Sequence, residues 1–162
     1  MAKNKKLPDS GFIGQLSEKH RKLIAKFGRY ETVLPGKHIV EQGKAHHSLF
    51  VIVKGTLRVY CHAHGDIVKL AKLGRGETVG EMGMIRRGEH PSSASAVAGK
   101  NGALVWVLKR KEFEAVLEDD PELGCHFLRC LANELCSRLR KYNEHLLRRK
   151  IDTQDKFLDM DY

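Results

Sequence analysis

The sequence predicts an α+β protein: about eight short β-strands forming a sandwich, jelly roll or small barrel, with helices before and after them. Three observations carry this expectation. Apolar residues recur at helical spacing near both ends of the chain, short β-rich runs punctuated by glycine fill the middle, and the final helical pattern is unusually long.

The first helix is read over residues 17–28, SEKHRKLIAKFG. Ser17 is a natural N-cap, Leu23, Ile24 and Phe27 share one face, and Gly28 supplies a C-terminal stop. The period then changes to short strands: YETVL, HIVEQG, SLFVIVKG, TLRVYCH, IVKLAKLG, SASAVAG and ALVWVLKR. Gly36, Gly43, Gly55, Gly65, Gly74, Gly76 and Gly102 separate them. From Lys111, KEFEAVLEDD reads as a short helix; Asp120 then caps a second helix with Pro121 at its first position. That helix meets no proline or glycine after Gly124 and is expected to run to about Lys150. Residues 1–11 read as a flexible basic N-terminus, 12–150 as one domain, and 151–162 as an acidic tail.

A chain of 162 residues, 41% hydrophobic and 30% charged, suits one soluble globular domain. No apolar run approaches the roughly 20 residues that span a bilayer, and MAKNKKLPDS has no apolar region behind it. A cytoplasmic protein without membrane partners is expected. Cys61, Cys125, Cys130 and Cys136 contain no CxxC pair and are read as reduced thiols rather than a disulfide or zinc framework. The net charge of +9 lies in the N-terminus and in Arg138, Arg140, Lys141, Arg148, Arg149 and Lys150. No nucleic-acid-reading motif accompanies it, so it supports only nonspecific attraction to anions.

The long helix carries a second pattern. Leu128, Ala132, Leu135, Leu139, Tyr142 and Leu146 are spaced alternately four and three residues apart, a seam of nearly three heptads. It fits either an amphipathic helix lying on its own β-core or a homodimer along that seam.

Several separate stretches resemble the cyclic nucleotide-binding domain family. They are LPGKHIVEQG, SLFVIVKGTLRVY, KLGRGETVGEMGMI and VWVLKRKEFEAVLEDDPEL, together covering roughly residues 12–146 with the following helix. The resemblance implies a jelly-roll or double-stranded β-helix barrel and a ligand, cAMP or cGMP, with no other cofactor. It places the phosphate and ribose at Gly80, Glu81, Met82, Gly83, Ser92, Ser93 and Ala94, with Glu81 accepting a hydrogen bond from the ribose hydroxyl. The chemistry is coherent: a cyclic phosphate needs free backbone N–H groups, close-approaching glycines and usually a cation.

Here the chain departs from the family pattern. Pro91-Ser92-Ser93-Ala94 has Ser92 where the family carries an arginine, and the preceding loop, with Arg86, Arg87 and His90, is about two residues longer. Arg86 and Arg87 read either as exposed loop charges or as a cation folding back over the phosphate. A base contact from the long helix is expected at Arg138 or Leu139, an arginine there stacking on the purine.

The resemblance therefore implies a sensor or regulatory module that acts through dimerisation or an unknown effector protein. The alternative is the same fold with its ligand lost, serving as an interaction module. A metal-dependent cupin enzyme is the remaining rival, on His62 and His64, but no glutamate follows at ligand spacing, and His46 and His47 are adjacent. Neither an enzyme nor a metal site is expected. The 12 residues after Lys150 are too few for a helix-turn-helix head, so no sequence-specific nucleic-acid binding is expected. The last segment, Phe157 to Tyr162, is expected either to fold back as a lid or to fray.

Overall fold

The structure, a computed structural model, describes residues 6–86 and 88–158, with side chains as far as Arg148. Helices α1 (Gly11–Gly14) and α2 (Glu18–Ile24) precede the strands β1 (Arg29–Val33), β2 (His38–Val40), β3 (Ser48–Ala63), β4 (Asp66–Leu73) and β5 (Thr78–Val79). Helix α3 (Glu81–Ile85), strand β6 (Ser95–Lys109), and helices α4 (Arg110–Asp119) and α5 (Pro121–Leu158) follow. One sheet of six strands runs in the order β1-β6-β3-β4, with β2 added to β6 and β5 to β3. It does not close into a barrel.

The count of six rather than about eight has a physical reason. Gly55 and Gly102 do not end strands but bend them: both have positive φ, and both lie inside the long strands β3 and β6. Register slips between Ile52 and Lys54 and between Gly55 and Leu57, so the antiparallel pair stays joined while changing direction. The early half of β3 (48–52) pairs with the late half of β6 (105–109), and 57–60 with 95–98. Strands β1 and β5 extend the first half, β2 and β4 the second.

Alternation along this pair then divides the core in two. Leu49, Val51, Val53, Trp106 and Leu108 join Phe12, Ile24, Phe113, Phe127 and Leu131 in a helix-side core. Phe50, Ile52, Val105 and Val107 join Leu57, Leu73, Val79 and Ala98 inside the roll. Successive residues thus serve opposite faces, as the strand period requires. Phe127 of α5 packs edge-on against Phe12 at 5.3 Å and at a tilt against Phe113 at 5.1 Å, locking α1 and α4 to the long helix.

Element ends confirm some local signals and correct others. The Ser17 hydroxyl accepts from His20 N at 3.1 Å, and Asp120 accepts from Leu123 N at 3.0 Å, so both caps form. Helix α2 ends at Ile24, before Gly28. Gly28 makes room instead: a Cβ there would sit 2.5 Å from the Trp106 ring. Leu7 is buried in the helix-side core, so packing begins ahead of residue 12, and residues 1–5 lie outside the described residues.

Helix α5 runs 38 residues, past Lys150. The expected lid falls partly in its last residues and partly in 159–162, which lie outside the described residues. Of the seam, Leu128 packs against the chain's own core, whereas Leu139, Tyr142 and Leu146 stay more than half exposed at 61%, 55% and 61%.

The bend is testable. A Cβ at Gly55 would lie 2.3 Å from the Gly102 carbonyl oxygen, at φ +84. Gly55→Ala should cost more than about 2 kcal/mol in urea unfolding, through left-handed strain plus the clash. Gly65→Asn, in the open His64-Gly65 hairpin turn, should cost under about 1 kcal/mol. Equal losses would contradict the bend.

Candidate ligand-binding site

A cavity of about 390 Å³ lies where the roll, α3 and α5 meet. The roll supplies an apolar floor, including Val40, Val59, Leu73 and Val79. The cassette supplies Gly80, Glu81, Met82, Gly83, Arg86, Ser92, Ser93 and Ala94, all lining the same space. Helix α5 closes one side with Glu134, Arg138, Lys141, Tyr142 and His145, which recur at three- and four-residue steps on one face. The described cassette residues that the sequence assigned to the site, with Arg138, converge here, whereas Leu139, the alternative base contact, does not line the cavity. Arg87 lies outside the described residues.

Gly80 starts α3 in the left-handed conformation, φ +92. A Cβ there would lie 2.2 Å from the Ser48 carbonyl oxygen, and one on Gly83 would lie 2.3 Å from that of His46. Both positions need glycine, so that the turn can sit flush on the strand. The first N–H groups of so short a helix have no intrahelical acceptor and remain available to an anion. The His46 ring packs on this turn and lines the cavity, and its Nδ1 is buried. Burial holds its pKa below the ordinary histidine value.

Glu81 is 7% exposed, and one of its carboxylate oxygens, Oε1, is held from two sides. The Thr78 hydroxyl donates a short hydrogen bond to Oε1, and Arg138 Nη1 donates to the same oxygen at 2.7 Å. Arg138 Nη2 donates to Thr78 O at 3.1 Å and to its Oγ1 at 3.0 Å, while Nε donates to Glu134 Oε1 at 3.0 Å. A guanidinium satisfied on three sides ties the long helix to the cassette. Glu134 and Arg138 stand four residues apart on the helix and pair locally, whereas the contact from Arg138 to Glu81 reaches across 57 residues.

Ser92 is committed elsewhere. Its N–H and its hydroxyl both donate to the Lys44 carbonyl at 3.0 Å, and its own carbonyl accepts from Gly43 N at 2.8 Å. The cassette is thereby stitched to the loop before β3, through the Gln42–Ser92 and Ala45–Pro91 bridges. Arg86 lines the cavity with an exposed side chain.

His46, Thr78, Glu134, Lys141 and His145 line the cavity without having been assigned to it from the sequence, and Arg110, behind the cassette, was missed as well. Arg110, at the start of α4, donates to the carbonyl oxygens of Gly83 (2.6 Å), Met84 (3.3 Å), Arg86 and Gly88 (3.5 Å). A cation in the first turn of a helix opposes the dipole, and that mismatch was the available signal.

The two histidines of the cupin alternative lie at the end of β3 and in the turn after it. Gln42 holds the backbone of His62 through both its amide atoms, and His64 occupies the β3–β4 turn at φ +53. Among the described residues, no three His, Cys, Asp or Glu side chains are grouped to hold a metal. Nor is any described helix long and apolar enough to cross a membrane.

Comparison with known proteins agrees with this geometry. The cyclic AMP receptor protein of Thermus thermophilus is 35% identical over 101 residues, covering 62% of this chain and 45% of the relative. The crystal structure of the catabolite activator protein from Thermus thermophilus superposes with a TM-score of 0.69 at 31% identity, over 85% of this chain and 62% of that one. The chain thus spans about half to two thirds of the length of these relatives. A cyclic nucleotide-binding domain from Methylobacillus flagellatus superposes with a TM-score of 0.76 at 26% identity, over 83% of this chain and 74% of the other. The profile of the cyclic nucleotide-binding domain matches residues 30–120, more than half the chain and the whole of the cassette. This chain belongs to the cyclic nucleotide-binding domain family.

Proposed function

We propose that the chain is a sensor for a cyclic mononucleotide, cAMP or cGMP, and that it acts through its own dimerisation or an effector protein rather than by catalysis. The observation carrying this reading is the convergence of the α3 turn, the buried Glu81, Ser93, Ala94 and the α5 face on one cavity. The phosphate meets the N–H groups of Glu81 to Gly83, with Arg86 as the described cation nearest in sequence to the cassette. Glu81 accepts from the ribose hydroxyl. In doing so it exchanges partners with Arg138, whose freed guanidinium faces the base.

Two features make the affinity lower than a cassette arginine would give. Ser92 carries no charge, and both its donors are already spent on Lys44. A lost charge-assisted hydrogen bond corresponds to about one to two decades in dissociation constant. The pairing of Glu81 Oε1 with Thr78 and Arg138 supports the second reading, an interaction module without ligand, since the charge of the carboxylate is already balanced without a nucleotide.

Calorimetric titration with cAMP, cGMP and a linear nucleoside monophosphate separates the two. The sensor reading requires heat with a cyclic nucleotide and a loss of about tenfold or more in Glu81→Ala. No heat and no thermal shift at millimolar nucleotide would leave the ligand-free module.

Dimerisation is read from the α5 face bearing Leu135, Leu139, Tyr142 and Leu146, most of it exposed in the single chain. Wild-type protein should sediment as a dimer. Joint replacement of Leu135 and Leu139 by glutamate should give a monomer with unchanged β-sheet circular dichroism. A wild-type monomer at high concentration would rule the seam out.

A further inference from the structure

We infer that Arg110 is the positioning residue of the phosphate cassette, setting its affinity for the nucleotide from outside the cavity; this rests on the sensor reading above. Arg110 does not line the cavity, which is bounded by α3 on that side. Its guanidinium instead sits behind the cassette and gathers the carbonyl oxygens of Gly83, Met84, Arg86 and Gly88. Its own N–H donates to the His47 carbonyl at 2.8 Å, next to the ring of His46 that supports the α3 turn. One side chain therefore fixes both the end of α3 and the start of the lengthened loop.

The electrostatics give this geometry a direction. Helix α3 has five residues, too few to hold its own orientation, and its last carbonyls carry the negative end of its dipole. A guanidinium there satisfies those acceptors and holds the opposite end, with its free N–H groups, against the cavity. The planar fork of donors matters, because an ammonium is a point charge that cannot span four separated carbonyls. Binding to the Arg86 and Gly88 carbonyls also fixes the backbone that carries the Arg86 side chain to the cavity. In a cassette whose own arginine is replaced by Ser92, the positive charge acts from behind the turn.

Arg110 also opens α4, which Gly124 packs tightly against α5: a Cβ there would lie 2.4 Å from Leu117. The same residue thus joins the cassette to the helical pair. Arg138 forms the second such link, from the cavity side. The two arginines hold α3 from opposite ends.

The test compares wild type, Arg110→Gln, Arg110→Lys and Glu81→Ala by calorimetry with cAMP and cGMP, and by amide hydrogen exchange over residues 81–88 without nucleotide. Arg110→Gln should weaken binding by about tenfold or more and speed exchange in that segment, with Arg110→Lys restoring only part of both. Glu81→Ala should lose affinity through the contact itself and leave Arg110 holding the segment, so its exchange stays slow at residues 84–88. Unchanged exchange in Arg110→Gln would overturn the positioning role, as would faster exchange with an unchanged dissociation constant. If wild type binds neither nucleotide, the sensor reading fails, and the exchange comparison alone then shows whether Arg110 holds the turn.

Discussion

A sheet that must cover helices with one face and enclose its own interior with the other can do so only if its longest strands bend together. In this protein the bend is made at Gly55 and Gly102, each in a backbone conformation that side chains resist; a Cβ on Gly55 would meet the Gly102 carbonyl, and one on Gly102 the Val33 carbonyl. From that point the alternation of β3 and β6 sends Leu49, Val51 and Trp106 one way and Phe50, Ile52 and Val105 the other. The cavity is a by-product of the same bend. Its floor is the apolar interior of the roll, left open on the side where β5 gives way to α3.

Polar groups then decide what the cavity can hold. A buried carboxylate is tolerable only when paired, and Glu81 is paired twice, by Thr78 from the preceding strand β5 and by Arg138 from the long helix. The arrangement makes the cassette and α5 share one acceptor. Any ligand group that takes that acceptor must change how the helix is held. On the proposed sensor reading, binding and helix placement would be two aspects of one hydrogen-bond exchange, without need of a long pathway between them.

Most of the architecture was legible because its signals are local. Ser17 and Asp120 cap where their side chains predict, and the GEMG turn lies where its glycines demand close approach. What escaped depends on distant partners. Gly55 and Gly102 look like strand breaks in one dimension, and become bends only because each faces the other strand. Gly28 looks like a helix stop, and its actual constraint is Trp106, far along the chain. At the site, the cluster of cassette residues was visible in sequence, but the commitment of Ser92 to Lys44 and the grip of Arg110 on four carbonyls were not. No spacing rule links residues that meet only after the sheet has rolled.

The unbroken length of α5 has a mechanical meaning. At 38 residues it is about 57 Å long, and its polar attachment to the cassette, Arg138, stands about 30 Å from Leu158. Phe127 and Leu131 clamp the near part in the core, while residues 139–148 are exposed. The helix is therefore a lever with its bearing at one end and its latch close to that bearing. A tilt of about 10° at Arg138, which moves the latch itself hardly at all, would carry the far end about 5 Å. A rigid rod would magnify any small change in who holds Glu81, and helix length sets how far such a tilt is carried.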